Sequence, residues 1–215
     1  MQINRFLDVA LASAAKVKVL RRLVLDSKPK SGRALARDIG MSHAQILHVL
    51  QELHAEGMVH LDRIGRSCVY SLRREIAPVK DILVPLFQKE RGLPDVIAQQ
   101  IARSVKTRIL SISIFGSVAK GTDHAASDLD MAFVVPDPSA QSSLKEELAG
   151  DVADKAASLG VTLGSFVLTR AELQRRYRAR DSFIRELLDT ARHVSGAYLM
   201  EVISRGSSTR KNSKG

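Results

Sequence analysis

From Leu11 to Leu25 the apolar residues recur with the period of a helix, so that Leu11, Ala15, Val19, Leu20 and Leu23 share one face. The polar run 26–32, with Pro29 and Gly32, ends that pattern. A shorter helix is predicted over Arg33–Ile39, with Leu35, Ala36 and Ile39 inward and Gly40 as its stop. Ser42 and Gln45 make an S-x-x-Q capping box for a second helix. Its apolar face is Ile46, Leu47, Val49, Leu50 and Leu53, and Gly57 terminates it. Val59 and Leu61, then Val69 and Leu72, are spaced as two strands with Gly65 at the turn between them. The predicted order is helix, helix, tight turn, helix, β-hairpin.

Residues 75–107 read as a helical linker. Val79, Ile82, Leu83 and Leu86 form one stripe, and Pro94 is expected to open a second helix carrying Val96, Ile97, Ile101 and Val105. Such a face must be covered, by a domain of the same chain or by a second copy, so a homodimer is expected. Leu110, Ile112 and Ile114 then alternate with Ser111 and Ser113 as a strand, and Met131–Val135 is a second one. Leu144, Leu148 and Val152 share a helical face. Val161–Leu168 reads as a strand. Thr169 and Glu172 cap a helix carrying Leu173 and Tyr177, and Phe183, Leu187 and Leu188 mark a last helix. The fold class is α+β, with expected domains at 1–74 and 108–204 and a disordered basic tail at 205–215.

Composition adds limits. Apolar residues make up 45% and charged residues 26%, enough for a real core. The single cysteine, Cys68, excludes an intramolecular disulfide and a Cys-rich zinc site. No apolar run reaches the roughly 18 residues of a membrane span, so a cytoplasmic protein without a membrane partner is expected. The net charge of +10 is unevenly spread: residues 1–74 carry +7, residues 75–110 +2, residues 111–204 −3 and the tail +4. A basic module joined to a slightly acidic one points the first at a polyanion.

The stretch GRALARDIGMSHAQILHVLQELHAEGMVHLDRIGRSCVYSL resembles the winged helix-turn-helix regulators of the MarR and ArsR kind, over about residues 10–74. In that layout the second helix of the pair enters the major groove by its N-terminal residues. Ser42, His43, Gln45 and His48 then fall at the base edges, and Arg63 and Arg66 flank the wing tip. The implied partner is double-stranded DNA. His43, His48, His54 and His60 are spread around the chain with no carboxylate or thiol pattern that would make them a metal site.

The segment RILSISIFGSVAKGTDHAASDLDMAFVVPD, 108–137, carries the most chemistry. Asp128 and Asp130 stand two apart on a strand and project together. Two neighbouring carboxylates repel unless a cation joins them. Mg²⁺ takes one or two carboxylates plus substrate phosphates. Gly116 allows close backbone approach, and Ser117 places a hydroxyl and free N–H groups at the same anion. The string GS, ten residues, then DLD resembles the nucleotidyltransferase fold of the DNA polymerase beta superfamily, particularly its minimal members. Lys120-Gly121 stands where that family commonly has Arg-Gly. The resemblance implies a nucleoside triphosphate with Mg²⁺, phosphates at Gly116, Ser117 and Lys120, and Asp128 and Asp130 as the catalytic metal ligands. It also implies a mixed sheet and a third carboxylate on the strand VTLGSFVLT. Gly164 or Ser165 falls at that position instead, so binding is expected to survive while transfer is slow or absent. Arg175, Arg176, Arg178 and Arg180 are expected to be phosphate contacts or a solvated face. Together these features lead to a DNA-binding transcriptional regulator with a nucleotide–Mg²⁺-binding domain. The alternative is an active nucleotidyltransferase of the AMP-transferring antitoxin type, autoregulated through its winged helix, with a cognate toxin as partner.

Overall fold

Serine caps start the longer helices of the N-terminal part. After a short helix α1 (Phe6–Ala10), the Ser13 hydroxyl accepts from the Lys16 N–H (3.2 Å) and opens α2 (Ala14–Leu25). Ser31 does the same for α3 (Gly32–Ile39) through the Ala34 N–H, and Ser42 for α4 (His43–Ala55) through the Gln45 N–H. The computed structural model describes residues 4–26, 28–65 and 67–205. The helix expected from Leu11 therefore begins three residues later, because Ser13 satisfies its first free N–H groups. Gly40 ends α3 in the left-handed region, φ 71°.

The hairpin is present as β2 (Val59–Ile64) and β3 (Ser67–Leu72), joined through Gly65 at φ 60°. A two-residue strand, β1 (Lys30–Ser31), adds to the free edge of β3, giving the antiparallel order β1-β3-β2 with Lys30 opposite Tyr70. Sequence patterning missed β1 because two residues inside a polar loop show no period. Leu20, Leu35, Ile46, Leu50, Leu53 and Met58 are fully buried in this unit's core. Each contributes about 1.5–3 kcal/mol of transfer free energy. Arg74 donates to the carbonyls of Leu23 and Val24 (3.2 and 2.5 Å) and so finishes the C-terminal end of α2.

A π-helical turn, Val79–Leu83, leads into α5 (Val84–Ser104). Pro94 was expected to open a new helix; it lies inside α5 instead. Its ring removes one N–H from the ladder, and the helix carries the loss. The chain divides into two units, Met1–Gly92 and Leu93–Gly215. Val79, Leu83 and Phe87 belong to the core of the first, and Ala98 and Ile101 to that of the second.

In the second unit a mixed four-stranded sheet has the order β6-β5-β4-β7, from β4 (Ser111–Ile114), β5 (Leu129–Val135), β6 (Leu163–Thr169) and β7 (Arg192–Gly196). Only β5 and β6 run parallel; β4 is antiparallel to both of its neighbours. One face, with Ile112, Ile114, Met131 and Phe133, packs on α5, α7 (Pro138–Ala149) and α8 (Asp151–Ser158). The opposite face, with Ala132, Val134 and Leu168, is covered by α9 (Arg170–Arg178), α10 (Ser182–Thr190) and α11 (Leu199–Ser204). Thr169 and Glu172 cap α9 reciprocally, as their spacing predicts. No helix among the described residues is long and apolar enough to cross a membrane.

Candidate functional site

Asp130 is the centre of the site. It is the second residue of β5 and stands half-buried on the face of Ala132 and Val134. The Phe115 N–H at the end of β4 donates to its backbone carbonyl (2.9 Å), which fixes the glycine that follows beside it. Gly116 takes φ 71° and starts α6 (Gly116–Lys120), a helix of five residues. A Cβ on Gly116 would overlap the Asp130 carboxylate. On the other side, Gly164 of β6 is the register partner of Asp130, and a Cβ there would overlap the carboxylate as well. The aspartate is therefore lodged between two residues that have no side chain. Of the two positions expected to replace a third acid, Gly164 is the one on the aspartate face. Ser165 pairs with Met131 and points the other way.

Asp128 lies one residue before β5 and is exposed. Burial, and then the charge of Asp128, push the Asp130 carboxyl above its ordinary value. Among the described residues no third His, Cys, Asp or Glu joins the pair. The donor set is two hard carboxylates, Asp128 exposed and Asp130 half-buried, with a like-charge repulsion that a cation would relieve. It fits Mg²⁺ completed by phosphate oxygens and water. The connecting loop is held by its own bonds: the Thr122 N–H donates to the Ser117 carbonyl (3.0 Å), and the His124 N–H to the Ser127 hydroxyl (3.0 Å). His124 and this stitching were not anticipated, since loop bonds leave no periodic trace. Lys120, expected on phosphate, forms an ion pair with Glu186 of α10 (2.6 Å).

An aromatic group behind the site was also missed. Phe183 of α10 meets Phe115 edge-on (5.6 Å between centroids) and Phe166 at 4.6 Å. The Arg176 guanidinium lies over both Phe166 and Phe183 and bonds Asp181 (3.0 Å). These rings come from three distant segments, so only the fold brings them together.

In the first unit Ser42, His43, Gln45 and His48 are all exposed at the start of α4. Their side chains are not equally free. The Gln45 side-chain carbonyl accepts from the Ser42 N–H and hydroxyl (3.3 and 3.0 Å). His48 faces Glu52 (3.2 Å), and Glu52 also bonds Lys16 (2.9 Å). His43 and Leu47 pack beside Gly32, where a Cβ would be tight. Arg63 is exposed on β2. Arg66, the other wing-tip residue, lies outside the described residues, as does the basic tail from 206 on. His54 bonds the Val59 carbonyl (2.9 Å) and His60 faces Glu75 (3.1 Å), local contacts that hold the strand β2 in place.

No curated protein matches the chain. Two solved structures are similar over about half of it. One is the crystal structure of a toxin–antitoxin with AMP-PNP: 17% identity, TM-score 0.31, covering 52% of this chain and 80% of that one. The other is a mutant of the toxin–antitoxin MntA–HpeT: 17% identity, TM-score 0.31, covering 53% and 86%. Residues 97–192 match the nucleotidyltransferase domain family, and that match spans the glycine-serine turn, both aspartates and Gly164. Residues 97–192 are thus a nucleotidyltransferase domain.

Proposed function

We propose that the chain is a DNA-binding transcriptional regulator whose nucleotidyltransferase domain binds a nucleoside triphosphate with Mg²⁺ and transfers its nucleotidyl group poorly. The observation that carries this is Asp130 between Gly116 and Gly164: two positions without side chains let the carboxylate stand beside the glycine-serine turn, and the place of a third acid is a glycine. Gly116 and Ser117 receive the phosphates, and Asp128 and Asp130 hold the metal. Mg²⁺, when bound, neutralises phosphate charge and polarises the phosphoryl oxygens. The α6 hydroxyl and N–H groups orient the triphosphate. No neighbouring carboxylate on β6 takes a proton from an attacking hydroxyl, so the nucleophile stays weak.

The first unit is read as a winged helix-turn-helix. Its capped helix pair, hairpin and added strand β1 support that, with α4 offered to the major groove and Arg63 to the backbone. A homodimer is proposed through the helical linker of the first unit, where Ile82 and Leu86 stay exposed. Sedimentation should then show a species of twice the chain mass.

Calorimetry with ATP, GTP, CTP and UTP plus Mg²⁺ tests the nucleotide site. With at least one of them, a component of the heat that requires Mg²⁺ and is lost in D128N/D130N is expected. No heat with any overturns it. The alternative, an active nucleotidyltransferase of the antitoxin type with a cognate toxin as acceptor and autoregulation through DNA, is favoured by the intact Gly116-Ser117 turn and aspartate pair. Rapid transfer of label from α-labelled ATP onto a protein would establish it in place of the first.

A further inference from the structure

The C-terminal end of α9, the turn after it and α10 line an open cleft of about 480 Å³. None of its lining residues belongs to the Gly116–Asp130 site. Three arginines line it, Arg178, Arg180 and Arg185. The one carboxylate at its wall, Asp181, is already used: its oxygens accept from Arg176 (3.0 Å) and from the Ile184 N–H (3.1 Å), capping α10. Arg185 is aimed by a bond to the Arg180 carbonyl (2.9 Å). Arg180 is the one non-glycine residue with positive φ (56°) among those described, a conformation that costs an arginine free energy. Ile184 and Leu188 form an apolar floor, and Tyr177 stands at the rim, 41% exposed.

We propose that this cleft is a second anion site, separate from the Asp128–Asp130 site, which binds the polyphosphate of a nucleotide without a metal. Guanidinium forks match phosphate oxygens two at a time. Three of them with no free carboxylate partner carry the charge that adjacent phosphates would offset. The apolar floor and the Tyr177 ring suit a base or sugar, and a cleft of this size is in the range of small-ligand sites.

The full chain is titrated in EDTA with ATP, with inorganic tripolyphosphate and with a hexaglutamate peptide. EDTA separates this site from the first, where two aspartates repel phosphate unless Mg²⁺ is present. ATP and tripolyphosphate should both bind. R178A/R180A should weaken each by about tenfold per guanidinium lost, with the melting temperature little changed. D128N/D130N should leave both untouched. Y177A should weaken ATP but not tripolyphosphate. Should R178A/R180A fold poorly, the single substitution R178E must show the loss. Unchanged affinity in the arginine variants overturns the proposal. So does an equal loss in D128N/D130N, and so does hexaglutamate binding as tightly as tripolyphosphate, which would make the cleft a carboxylate site.

Discussion

Asp130 is better tolerated by the fold when it is neutral. Its carboxyl titrates above the ordinary value in the folded chain because burial and the Asp128 charge disfavour ionisation. The unfolded chain ionises first, so as pH rises from the ordinary aspartate value, 3.8, through the raised folded one, this residue takes stability away. D130N should therefore raise the melting temperature at pH 7, and the gain should shrink to nothing as the pH is lowered toward 4. Mg²⁺ should do to the wild type part of what the substitution does, and nothing to the variant. Gly164→Ala isolates the other half of the arrangement. The added Cβ meets the far end of the Asp130 side chain, which can swing, so unfolding free energy should change by less than about 1.5 kcal/mol. The carboxylate then leaves its position, and Mg²⁺-dependent nucleotide binding should fall by about tenfold or more. Calorimetry alongside denaturant melts checks both. The sequence shows two aspartates and a missing third acid. It does not show that Gly164 rather than Ser165 stands against Asp130, because a period of two identifies faces only after the register is known.

At the scale of elements, the capping boxes were the most legible features. Ser42–Gln45 and Thr169–Glu172 both form reciprocally, since each satisfies N–H groups that nothing else nearby reaches. The backbone N–H of Thr169, the largest influence, holds the Glu172 carboxyl below its ordinary value. The sign is opposite to that of Asp130: this stabilisation is present at neutral pH and is lost as pH falls through the lowered value. Thr169→Ala should cost about 1 kcal/mol of unfolding free energy at neutral pH. In E172Q the loss of stability on acidification should be smaller than in the wild type by the share that Glu172 contributes. Elements without a local signal were not legible. The strand β7 has only five residues and half-buried sides. Pro94 reads as a break although α5 runs through it.

For the whole molecule, the division of charge carries the argument. The first 74 residues hold +7 and residues 111–204 hold −3, so salt should weaken duplex binding while leaving Mg²⁺–nucleotide binding much less affected. Arg63→Ala should weaken binding to every duplex and lower the slope of log K against log salt by about one. His43→Ala should cost about 1–3 kcal/mol on a specific operator and little on random DNA. Gln45→Ala should change helix stability more than sequence choice, because the Gln45 carbonyl is engaged by Ser42. Competition binding against a fixed operator fragment distinguishes the three.

The order of strands in the second sheet has a consequence for synthesis. β7 completes the sheet beside β4, yet it leaves the ribosome roughly 80 residues later, after every helix but α11. Until then β4 has an open edge in the hydrogen-bonding sense, its Ile112 and Ile114 lacking their partners Ser195 and Arg192. The first unit is built from near neighbours in the chain and can close while the second is still being made. A stalled chain that has emerged from the ribosome to just short of Arg192 would thus display a finished N-terminal unit followed by a sheet with one strand missing. In a protease challenge of such stalled chains, cleavage should be confined to the residues after α5 and should cease once β7 has emerged.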